Sequence, residues 1–201
     1  MIFERYYILI SLILIAGSLA LVFARLDKRR TGVRRITLIA VMTALSIVGR
    51  FIFASLPAFK PVSAIVILTG VYLGGEAGFL VGSLSAFLSN FYFGQGPWTP
   101  FQMFAWGIIG LIAGYLGRFL KKNKPALAVY GVFAGVFYSM FMDVWSVLWY
   151  NNEFNISVYL AALVTAIPYT ISYAASNVVF LLLLGRPFGE KLERVKLKYG
   201  V

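Results

Sequence analysis

The stretch Asn90-Phe-Tyr-Phe-Gly94-Gln95-Gly96-Pro97-Trp98-Thr99-Pro100-Phe-Gln102-Met-Phe-Ala-Trp106-Gly107 joins two apolar runs and decides how the chain is read. Gly94, Gly96, Pro97 and Pro100 stop the incoming helix and set a turn. Between these breakers stand Gln95, Trp98, Thr99 and Gln102, with Trp106 one helical turn further on. Flat aromatics mixed with amide donors and acceptors are what a small-molecule site uses. A belt of Trp at a bilayer interface would produce part of the same pattern.

Working outward, the runs on either side are too apolar for a soluble domain. Hydrophobic residues make up 61% of the 201 and charged residues only 12%. Several apolar segments reach the roughly 18 residues that a helix needs to cross a bilayer. The expected fold is therefore all-α, a polytopic membrane helix bundle. Tyr6 to Phe23 reads as a first span, retained rather than cleaved, because its basic residues follow the apolar run. Six more follow: Ile36 to Leu56, the short Val62 to Leu73, Ala77 to Phe91, Phe101 to Phe119, Ala126 to Trp149 and Val158 to Leu184. In domains, 1–30 is an extra N-terminal transmembrane helix with a basic connector, 31–189 a six-helix substrate-binding core, and 190–201 a basic cytoplasmic tail.

Alternating crossings put fifteen of the eighteen Lys and Arg on one side. Arg5, Arg50 and Lys60 fall on the other. Positive residues gather on the cytoplasmic side, so the N-terminus is expected outside and the C-terminus inside. The same rule accounts for the net charge of +11 without nucleic acid. Glu76, in the turn Gly74-Gly75-Glu76, is expected to be an ordinary solvated carboxylate on the inner side. Gly70, Gly74, Gly78 and Gly82 recur every four residues, as do Gly110 with Gly114 and Gly131 with Gly135. Such spacing lets membrane helices approach closely. Ala40 and Ala44 leave one face of the second span flat in the same way.

Cysteine and histidine are both absent. That removes disulfides and thiolate chemistry, the commonest metal ligand and the commonest general base. No catalytic residue, metal ligand or cofactor is expected. Asp143 lies mid-way along an apolar helix, where a carboxylate must face a partner, water or ligand. Arg50 is one candidate partner. Asn90 and Asn177 are cheaper polar groups that either bind ligand or tie helices together. All four tryptophans fall toward the outer half of the spans. The expected pocket therefore comprises Asn90, Gln95, Trp98, Gln102, Trp106, Asp143, Trp145, Trp149 and Asn177.

From about Arg35 to Gly189 the chain resembles the substrate-binding S components of energy-coupling factor (ECF) transporters. Six core helices, a basic inner face, the Ala40-xxx-Ala44 motif and the Gly94-to-Gly107 passage carry the resemblance. It implies a subunit that binds a vitamin outside and docks through Ala40 and Ala44 on a transmembrane coupling subunit driven by two ATPases. The external loop from Ser55 to Ser63 would act as a gate, and the subunit would topple in the bilayer to deliver its cargo. A corrinoid such as cobalamin fits the many tryptophans and amides. The chain has no phosphate-cradling motif of its own, so ATP hydrolysis falls to partners. Two other readings stand beside this one. A membrane enzyme would need a nucleophile and base that are missing here. A channel or proton-coupled transporter would use Asp143, without an evident inverted repeat.

Overall fold

The computed structural model describes residues 32–151 and 153–199, together with Ile13 and Gly17 singly. The expected first span, Tyr6 to Phe23, lies outside the described residues. Seven helices make up the described chain. They are α1 (Val33–Ile52), α2 (Val62–Leu73), α3 (Gly75–Phe93), α4 (Trp98–Tyr115), α5 (Gly117–Lys122), α6 (Lys124–Asn151) and α7 (Ile156–Tyr199). The all-α membrane bundle expected from the sequence is the fold found. Helices α1, α6 and α7 are long and apolar enough to cross a membrane.

The run read as one span from Phe101 to Phe119 is two elements, α4 and the short α5. Helix α7 continues through the basic tail to Tyr199. At 1.5 Å per residue its 44 residues would reach about 66 Å, far more than a ~30 Å hydrocarbon core. The charged end of α7 therefore projects beyond the bilayer. Pro168 and Pro187 lie inside this helix without ending it.

Helix α2 holds the bundle together. Its 12 residues span only about 18 Å, too little to cross alone. Every residue from Val62 to Gly70 is buried. A helix that is apolar all round has no solvent or lipid face to present and is stable only in a core. Helices α1, α3, α4 and α7 all pack against it.

Glycines set how closely these helices meet. A Cβ built on Gly78 would lie 2.5 Å from the Gly110 carbonyl oxygen and 2.8 Å from the Gly70 Cα, so the backbones of α2, α3 and α4 touch at one point. Gly135 brings α6 against α7 in the same way, with its Cβ position 2.6 Å from the Ala174 nitrogen. The turn at Gly74 has φ of 97°, a conformation that a side chain would strain. Glu76, expected to be solvated, instead accepts a 3.1 Å hydrogen bond from Arg35 and ties the start of α1 to the start of α3.

Gly78→Ala should therefore cost about 1–3 kcal/mol of stability by overpacking. Gly185→Ala, whose nearest neighbour is 3.8 Å away, should be neutral or slightly stabilising. Thermal unfolding of the two variants in detergent checks the contrast, and equal melting temperatures would refute the close-contact account.

Candidate functional site

At one end of the bundle α1 stops at Ile52 and the chain crosses to α2 through residues 53–61. This connection is folded down on the bundle. The Ser172 hydroxyl donates to the Pro57 carbonyl at 3.1 Å, and the Ser176 hydroxyl to the Lys60 carbonyl at 2.9 Å. Phe53 and Phe59 both pack on Phe180 of α7. Ala58 is buried with φ of 57°, left-handed backbone that costs an alanine about 1–2 kcal/mol.

Beneath this connection lies a cavity of about 100 Å³. Its walls include Arg50 of α1, Ala58 and Lys60 of the loop, Gln102 and Trp106 of α4, Tyr138 of α6, and Tyr173 and Asn177 of α7. The Trp106 and Tyr138 rings stack 5.3 Å apart with 10° between their planes, and Tyr173 meets Tyr138 edge-on at 5.0 Å. Trp106 and Tyr138 lie nearly parallel, and Tyr173 stands almost perpendicular to them.

The polar side of the cavity is a continuous relay. Arg50 donates to the Ser89 hydroxyl and, at 2.8 Å, to Asn90 Oδ1. Asn90 is 1% exposed and spends its amide on two acceptors, Thr99 Oγ1 at 3.0 Å and Gln102 Oε1 at 2.8 Å. Gln102 Nε2 then donates to the Tyr138 hydroxyl at 2.8 Å. On the other branch Thr99 donates to Gln95 Oε1 at 3.0 Å, and Gln95 Nε2 donates to the Phe87 carbonyl. The Gly94-to-Gly107 passage thus folds back on α3 because Asn90 supplies a donor for each of its two polar branches. Asn177 donates to the Gly131 carbonyl at 3.0 Å and joins α7 to α6. Burial, and then the nearby positive charge of Arg50, lower the Lys60 ammonium below the ordinary lysine range.

Seven of the nine residues singled out in the sequence fall into two groups. Gln102, Trp106 and Asn177 line the cavity, with Asn90 directly behind them. Trp98, Trp145 and Trp149 form a separate aromatic row, with centroids 5.7 Å apart for the first pair and 6.3 Å for the second. Asp143 and Gln95 are not among the lining residues. Asp143 makes no ion pair with Arg50, and its Oδ2 is buried with no hydrogen-bond partner. Arg50, Lys60, Tyr138 and Tyr173 were not singled out as lining residues. Arg50 offered a signal, being a charge near the end of an apolar span. The two tyrosines offered none, since a Tyr inside an apolar helix is usually packing.

A multi-pass helical bundle with an aromatic, polar-lined cavity closed by a loop defines a small-molecule-binding membrane protein. Over residues 30–194 the chain matches the family described as "ECF-type riboflavin transporter, S component", and it belongs to that family. Members are substrate-binding membrane subunits, not enzymes. Two curated proteins from strains of Clostridium perfringens, each described as "UPF0397 protein", are 32% identical over 115 residues, 54% of this chain. The match spans 60% of the length of those relatives. No solved structure matches.

Replacing Asn90 by Leu should strand Arg50, Thr99 and Gln102 together. A loss of about 3 kcal/mol or more is expected, beyond what a change at an exposed position outside the relay, such as Thr165→Ala, costs. Chemical unfolding in detergent compares the two, and similar losses would show that the relay is not cooperative.

Proposed function

We propose that this chain captures a vitamin-like molecule with a flat ring system, of the riboflavin type, for an ECF importer. The observation that carries the reading is the Trp106–Tyr138 stack facing a polar relay beneath a folded-down loop. Rigid aromatic rings supply contact area, and a few fixed amides supply orientation. The corrinoid expected from the tryptophan count has no support of its own, because three of the four tryptophans lie in the separate row.

The cavity of about 100 Å³ has room for only about three waters, whereas ligand pockets run from about 300 Å³ upward. Residues 53–61 must therefore lift off α7 to admit a ring system. What holds them is modest: two serine hydrogen bonds and a cluster of phenylalanines. The strain at Ala58 lowers the cost of release.

The positive-inside asymmetry supports a cavity that opens outward, with the C-terminus in the cytoplasm. Ala40 and Ala44 are exposed on α1, opposite its buried face of Ile39, Met42, Thr43, Ser46 and Gly49. This flat stripe suits docking on the transmembrane coupling subunit, with two ATPases supplying the energy and toppling delivering the cargo inward.

Trp106→Ala should weaken ligand binding by about 1–3 kcal/mol, by analogy with base stacking, whereas Trp149→Ala should change it little. Calorimetric titration with riboflavin measures both, and the reverse pattern would move the site to the tryptophan row. Ala44→Trp should leave binding intact and abolish uptake in cells. Undiminished uptake by cells that lack the ATPases would refute coupled transport.

A further inference from the structure

The cavity wall carries two cations and no acid. Arg50 and Lys60 both line it, one from α1 and one from the loop that closes over it. Glu76, Asp143, Glu153, Glu190 and Glu193 are the acidic residues in the described parts of the chain, and none of them lines the cavity. Glu76 pairs with Arg35, Glu190 with Arg186 and Glu193 with Lys121. Among the described residues, neither Arg50 nor Lys60 meets a carboxylate.

What the two cations meet instead is neutral. Arg50 donates to Ser89 and Asn90, and its guanidinium lies 4.4 Å from the centroid of Phe93 and 5.3 Å from that of Trp106. The Lys60 ammonium lies 5.9 Å from the same Phe93 centroid. Both positive charges thus crowd one aromatic ring. Withdrawing charge from water without a counter-charge is costly, and two like charges facing one space add to the cost. A bound anion removes both penalties at once. Neighbouring neutral amides and hydroxyls cannot, because they carry no net charge.

We propose that Arg50 and Lys60 form an anion subsite, so that the cavity prefers a flat ring compound carrying a carboxylate or phosphate group. The ring lies along Trp106 and Tyr138, and the anion sits between the guanidinium and the ammonium. This rests on the cavity being the ligand site. It goes beyond a riboflavin-type ligand because riboflavin itself is neutral, whereas riboflavin 5′-phosphate is not. The closing loop acquires a further role. Lys60 completes the subsite only when residues 53–61 are folded down, so an anionic ligand holds the loop shut more firmly than a neutral one.

The test titrates the purified full chain with two matched pairs, riboflavin with riboflavin 5′-phosphate and nicotinamide with nicotinate. The first anion is a phosphate and the second a carboxylate. The expected result is that the anionic member of one pair binds at least tenfold more tightly. Lys60→Gln should weaken that anion at least tenfold more than its neutral partner, and Lys60→Arg should restore the preference. Equal affinity within every pair that binds, or a preference untouched by Lys60→Gln, overturns the subsite while leaving the cavity as the ligand site. If neither pair binds, the flat-ring reading falls, and inorganic pyrophosphate decides the subsite. Raised thermal stability over chloride at equal ionic strength, lost in Lys60→Gln, upholds it. No such rise overturns it.

Discussion

Arg50 places a guanidinium inside a membrane bundle with no carboxylate beside it among the described residues, and much of that end of the protein answers the charge. Two of its neighbours are oxygens, the Ser89 hydroxyl and the Asn90 carbonyl, and two are aromatic faces, Phe93 and Trp106. Satisfying one cation thereby fixes the ends of α1, α3 and α4 relative to one another. Asn90 then passes the constraint on. With its oxygen taken by Arg50, its amide must find acceptors, and Thr99 and Gln102 provide them. The orientation of the Gln102 amide follows, as does the hydroxyl of Tyr138. A partly satisfied network in a low-dielectric interior would be worse than none, so the relay is complete at each step.

This polar end rests on a bundle whose centre is packed through close glycine contacts. Gly70, Gly78 and Gly110 let three backbones meet, and the contact leaves α2 enclosed on every side. A helix too short to cross must be joined to its neighbours by a connection that dips toward the membrane interior. Residues 53–61 are that connection, and they bring Lys60 and Ala58 over the cavity. The short central helix and the closing loop are thus two consequences of one packing choice.

Helix α1 carries two faces of different character. Its buried face carries Arg50 toward the cavity, while its exposed face carries Ala40 and Ala44. Arg50 and the flat Ala40–Ala44 stripe thus share one element.

Composition and run length alone determined that this is a helical membrane bundle, because a lipid solvent allows few other ways to satisfy a backbone. The breakers Gly74, Gly94 and Pro97 marked the turns correctly, since conformational limits of single residues act locally. The loop reading held only for residues 94–97, whereas Trp98 to Trp106, with Pro100, forms the first half of α4, where a proline in the first turn breaks no hydrogen bond. What the passage does was not legible. Trp98 and Trp106 look equivalent in the sequence, yet one joins an aromatic row with Trp145 and Trp149 and the other walls the cavity. That outcome depends on helix rotation, which interhelical packing sets and no local pattern records. Nor could charge counting place Arg50 beside Asn90 instead of Asp143, or Glu76 against Arg35. Pairings between residues some forty positions apart belong to the tertiary structure alone, because only the packed helices bring those groups within reach.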